Sequence, residues 1–123
     1  MNFKLKAMWI DTFSLSKTDE KTDDDQKYKL IIGMGMDFNT TDQRSVRLRL
    51  DMKLHRSESY IFSAEQHVVI EFEEAISPEE AERIIKEKNA PGMFYPYARA
   101  FATSTLTLAG YKDINLPVMY QID

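Results

Sequence analysis

From Val46 to Leu54 every second residue is apolar: Val46, Leu48, Leu50, Met52 and Leu54 alternate with Arg47, Arg49, Asp51 and Lys53. A period of two puts alternate side chains on opposite faces of a strand. One face of this strand therefore carries only charge and the other only hydrocarbon. That pattern points to an antiparallel sheet packed on one side and wet on the other.

Three further segments read the same way. Phe3 to Trp9 is apolar at Phe3, Leu5, Ala7 and Trp9, predicting one face for those four. Tyr28 to Phe38 is apolar at Tyr28, Leu30, Ile32, Met34, Met36 and Phe38. Tyr60 to Phe72 presents Tyr60, Phe62, Ala64, Val68, Ile70 and Phe72. Asp37 to Arg44 and Arg56 to Ser59 are short polar hairpin turns. Ser14 to Lys27 is different: long, polar and acidic, with Asp19, Glu20, Asp23, Asp24 and Asp25. It reads as a crossover, so the first two strands need not be neighbours. Gly33 and Gly35 flank Met34 inside a strand, where glycine marks a bulge or the close approach of another backbone or ligand. The charged face carries Arg47, Arg49 and Lys53, with Glu65, Glu71 and Glu73 placed to pair with them.

Two helices follow. Ser77-Pro78-Glu79-Glu80 combines a capping serine, a proline suited to the first turn and carboxylates at the positive end of the helix dipole. Asn89-Ala90-Pro91-Gly92 should end this helix. The second is predicted from about Pro96 to Ala109, with Ala98, Phe101, Ala102, Thr105, Leu108 and Ala109 on one face. Only Phe101 and Leu108 in that stripe are large, so weak docking, or contacts borrowed from another subunit, is expected. Gly110 is placed to cap the end.

With 123 residues the chain is expected to be a single domain, 1–123. Its net charge of −4 argues against a nucleic-acid backbone as partner. Cysteine is absent, which removes disulfides, thiol nucleophiles and thiolate metal sites. No segment is apolar enough for a signal core or a membrane span, so a cytoplasmic protein without membrane insertion is expected. His55 and His67 lack metal-ligand spacing, the acidic loop lacks the glycine and oxygen pattern of a calcium hand, and no nucleophile–base pairing stands out. A non-enzymatic protein without metal or cofactor is the expectation. Seven methionines suit either core filling or an adaptable surface.

The segment Pro91-Gly92-Met93-Phe94-Tyr95-Pro96-Tyr97-Ala98-Arg99, then Gly110-Tyr111 and Ile114-Asn115-Leu116-Pro117, resembles the C-terminal signature of the SecB family of export chaperones. In that family a Pro-x-Met-x-x-Pro-Tyr-Ala-Arg run opens the last helix, and a Gly-aromatic turn leads to a Leu-Pro segment. The likeness is specific over Pro91 to Tyr120; elsewhere it rests on element order. Lys112-Asp113 stand where the family has paired prolines, and the polar tail by which the family meets the export motor is not expected here.

The resemblance implies an α+β fold: a four-stranded antiparallel sheet with two C-terminal helices packed on one face. It implies an ATP-independent holdase that binds unfolded polypeptides in apolar grooves and assembles as a homo-oligomer, dimer or tetramer. Clients would be export substrates, delivered to the SecA motor, or a dedicated client such as an antitoxin. The alternative is an adaptor that keeps the fold and binds one folded partner. The expected peptide-binding residues are Trp9, Met34, Met36, Phe38, Met93, Phe94, Tyr95, Tyr97 and Phe101. Met93, Tyr95 and Tyr97 lie on the family motif; the others come from the hydropathy pattern.

Overall fold

The computed structural model describes residues 2–23 and 26–117. Asp24 and Asp25 of the acidic loop, and the last part of the C-terminal signature, residues 118–120, lie outside the described residues. The elements are β1 (Phe3–Lys17), β2 (Tyr28–Phe38), β3 (Ser45–Arg56), β4 (Tyr60–Phe72), α1 (Pro78–Glu87) and α2 (Ala90–Leu108). All strand pairings are antiparallel, in the order β1-β4-β3-β2. Both helices pack on one face, against Val46, Leu48, Leu50, Met52 and Leu54 of β3 and the even-numbered residues of β4. The expected α+β architecture is therefore the observed one.

β1 departs from expectation in two ways. It runs to Lys17, so Ser14 to Lys17 are strand and the crossover is confined to 18–27. Ser14 and Ser16 look loop-like, yet they occupy the open face of a strand whose Phe13 and Leu15 pair with Ala64 and Phe62. Its register also slips between Leu5 and Ala7 and again between Ile10 and Thr12. Each bulge reverses the alternation. Ala7 and Trp9 consequently sit opposite Val69 and His67 on the open face, not with Phe3 and Leu5. Met8 and Ile10 take the helix side, opposite Val68 and Gln66.

The crossover can be short because it only steps over the β3–β4 turn. Lys17 lies beside Tyr60, and Tyr28 lies beside Arg56. Turn and crossover are tied by bonds from Thr18 N–H to the Ser59 carbonyl (3.1 Å), Ser57 N–H to Lys27 (3.0 Å) and Glu58 N–H to Glu20 (2.7 Å). Thr22 also donates its hydroxyl to the Gln26 carbonyl. The first and second strands are thus at opposite edges.

α1 starts as expected: the Ser77 hydroxyl accepts the Glu80 N–H at 3.2 Å, and Pro78 occupies the first turn. α2 does not. It begins at Ala90, directly after Asn89 turns the chain with φ 49°, and Pro96 lies inside it. Pro91 sits in the first turn, where its missing N–H loses nothing. Pro96 removes one internal hydrogen bond; the helix continues because Phe94, Tyr95 and Ala98 around it are buried. The earlier start also resets the buried face to Tyr95, Ala98, Ala102 and Leu106. Leu108, expected inward, is 88% exposed. Two residues past Leu106 is more than half a turn away. Phe94 and Tyr95 supply the large anchors that a start at Pro96 omits, so α2 is firmly docked. Its end matches expectation: Gly110 has φ 98° and donates to Thr107, while Tyr111 N–H reaches back to the Leu106 carbonyl, both at 3.0 Å. This is the paired bonding of a Schellman cap.

Candidate functional site

The sheet is wider than its cover. On the helix side, β3 and β4 are buried, whereas the edge strands β1 and β2 overhang. Along the β1 margin, α2 presents Met93, Tyr97 and Phe101, four residues apart and so on one side of the helix. Met93 is 52% and Tyr97 54% exposed, while Phe101 is half-buried. Phe101 meets Phe13 of β1 edge-on, with ring centroids 5.1 Å apart, and also approaches Phe62 at 6.2 Å. Phe13 is itself 57% exposed, and exposed Leu5 lies further along the same face of β1. Together these side chains make an apolar ledge between the last helix and an edge strand.

The β2 margin is the second overhang. Met34 and Met36, opposite Leu50 and Leu48, are half-buried. Met36 and Ile32 pack against the core cluster beneath α1. Phe38 is exposed and shares a groove of about 330 Å³ with Trp9, Asp37, Arg47 and Val69. Trp9 otherwise belongs to the open face, stacked 5.2 Å from the His67 ring.

The nine expected binding residues therefore fall into four places. Met93, Tyr97 and Phe101 lie together; Met34 and Met36 lie on the opposite margin; Trp9 and Phe38 line one groove. Phe94 and Tyr95 are core residues, 5% and 1% exposed. The earlier start of α2 turns them inward, so they support the surface without forming it. Phe13, Leu5 and Ile31 are exposed apolar residues that sequence reasoning missed. The Phe13-Ser14-Leu15-Ser16 alternation was the available signal for the first.

The C-terminal signature has a structural explanation. Tyr95 donates its hydroxyl to the Pro117 carbonyl at 2.8 Å, and Arg99 Nε donates to Leu116 at 3.4 Å. Arg99 thus holds a backbone carbonyl. Tyr28 donates to the Asp113 carbonyl at 3.0 Å, and Arg56 donates to the Tyr28 hydroxyl at 2.7 Å. The helix opening and the Leu-Pro segment hold each other, with Leu116 buried between them. Tyr60 lies beneath, its ring 4.5 Å from Tyr111. Burial, then the neighbouring Tyr28, pushes its phenol well above the ordinary range.

The open face is polar and shallow. A groove of about 470 Å³ crosses it, lined in part by Thr12, Ser14, Ile31, Gly33, Lys53 and Glu65. β2 is in unbroken register, so Gly33 and Gly35 mark no bulge. A Cβ at Gly33 would meet nothing, while one at Gly35 would strike the Arg49 guanidinium. Arg49 pairs with Asp37 at 3.1 Å and approaches Glu65 at 4.0 Å. Glu71 collects Lys6, Lys4 and Arg44; the hydrogen bond from Lys6 is the main cause of its lowered pKa. The two histidines do not meet: His55 Nε2 lies 3.1 Å from the Glu20 carbonyl, and His67 Nε2 lies 2.9 Å from Glu65.

No helix among the described residues is long and apolar enough to cross a membrane. No family model matches the sequence, and no curated protein matches it. Among solved structures, the chain is similar to the SecB-like chaperone Rv1957 of Mycobacterium tuberculosis, solved in complex with a ChAD peptide from the Rv1956 HigA1 antitoxin. The TM-score is 0.73 at 11% identity, covering 94% of this chain and 89% of that one. The chain has the SecB-like fold that its C-terminal signature implied.

Proposed function

We propose that this protein is an ATP-independent holdase that takes non-native polypeptide along the ledge of Met93, Tyr97, Phe101 and Phe13. The observation that carries this reading is the overhang: apolar edge-strand residues that the two helices leave uncovered. Contiguous exposed hydrocarbon of this kind marks a binding surface. An extended segment laid beside α2 would bury it, and methionine adapts to varied side chains. Trp9 with Phe38, and Met34 with Met36, would extend the contact around the sheet for longer clients.

The similar mycobacterial chaperone was captured with an antitoxin peptide. That supports a dedicated client, such as an antitoxin, over general export and delivery to the SecA motor. Action in the cytoplasm as a homo-oligomer belongs to the same reading.

The test is fluorescence anisotropy of a labelled, permanently unfolded polypeptide titrated with this protein, with the folded form of the same polypeptide as control. The expected result is micromolar or tighter binding to the unfolded chain alone. Binding to neither form would overturn the proposal and favour an adaptor for one folded partner.

A further inference from the structure

The two bulges of β1 bring a carboxylate onto the open face beside the most buried histidine. Asp11 lies at the second bulge, between Ile10 opposite Gln66 and Thr12 opposite Glu65. Bulges commonly re-aim a side chain next to a functional site. Here one ligand atom from each of Asp11, Glu65 and His67 lies within 4.8 Å of the others. A single cation could touch all three.

His67 makes this more than an acidic cluster. It is only 7% exposed, covered by the Trp9 ring at 5.2 Å. Its Nε2 lies against Glu65 at 2.9 Å, but its buried Nδ1 has no hydrogen-bond partner among the described residues. Nε2 is thus the ring nitrogen that faces the carboxylates and would meet an ion between them, while Nδ1 lies across the ring from that contact. Asp51 sits directly opposite Glu65, adding a third negative charge to the strand pair. The nearest cation, Arg49, is 4.0 Å from Glu65 and bonded at 3.1 Å to Asp37. Trp9 Nε1 donates to Asp11 at 3.2 Å and so orients that carboxylate.

We propose that Asp11, Glu65 and His67 form a binding site for a first-row transition-metal dication. One imidazole and two carboxylates suit zinc, cobalt or nickel; the imidazole disfavours calcium and magnesium, which prefer all-oxygen shells. Three protein ligands leave a coordination position open to water or to a client side chain. A bound ion would neutralise the carboxylates and clamp β1 to β4 beneath Trp9. The site owes nothing to the chaperone reading, and its test uses no client.

Trp9 is the only tryptophan, so its emission reports the site directly. The full chain is titrated with cobalt(II), which quenches nearby tryptophan; zinc, having a filled d shell, does not. The expected result is saturable quenching at micromolar cobalt, reversed by zinc. Asp11→Asn, at an exposed position that spares the core, and His67→Gln each weaken binding at least about tenfold. The absence of saturable quenching at millimolar cobalt would overturn the proposal. So would equal quenching in both variants, which would place the ion elsewhere.

Discussion

Tyr95 and Tyr97 are two residues apart on one helix and have opposite fates. Tyr95 is buried and bonded to the Pro117 carbonyl, whereas Tyr97 faces solvent. The residue types alone do not distinguish them; the helical phase does, and that phase depends on where α2 begins. For the same reason Leu106, not Leu108, is the last anchor. Tyr60 shows how side-chain chemistry and packing can disagree. Its hydroxyl is buried beside Tyr28 without a hydrogen bond of good geometry, so it sacrifices hydration for little gain. An unpaired buried hydroxyl is destabilising by about 1–3 kcal/mol. Tyr60→Phe should therefore leave stability unchanged or raise it by up to about 1 kcal/mol, read by urea denaturation. A clear loss of stability would show that the hydroxyl has a partner after all.

At the scale of elements, β2, β3 and β4 were legible because their alternation is unbroken and their turns are polar. β1 was legible only in part. Its bulges at Lys6 and Asp11 reverse the parity twice, so no single period describes Phe3 to Lys17. The composition of Ser14 to Lys17 then hid the end of the strand. α2 was shortened by reading Pro96 as a start, although tertiary packing of Phe94, Tyr95 and Ala98 overrides the lost hydrogen bond. The caps were readable because they rest on local chemistry: Ser77 and Pro78 at one helix, Gly110 at the other. Gly110 has a φ of 98° that side chains with a Cβ rarely adopt. Gly110→Ala should lower stability by about 1 kcal/mol, seen as a reduced thermal midpoint with an unchanged fold by circular dichroism.

At the scale of the molecule, the order β1-β4-β3-β2 places the two helices over the central strands and leaves both edges projecting. A sheet built to be fully covered would need a third helix or narrower edges. The sequence told that one face was apolar, but not that it exceeded its cover, because coverage depends on strand order and helix placement. This also explains why the candidate site was only partly legible. Met93, Tyr97 and Phe101 follow from a motif and a helical period, while Phe13 joins them only through the β1–β4 register. The ledge carries the proposed function, and it can be removed without touching the core. The decisive measurement is the affinity of the Phe13→Asp/Tyr97→Asp double variant for the labelled unfolded polypeptide, beside wild type and at matched thermal stability. Each aromatic side chain buried by a client contributes about 1.5–3 kcal/mol, so binding should weaken at least about tenfold. Unchanged affinity in a folded double variant would contradict the account and move the client-binding surface elsewhere.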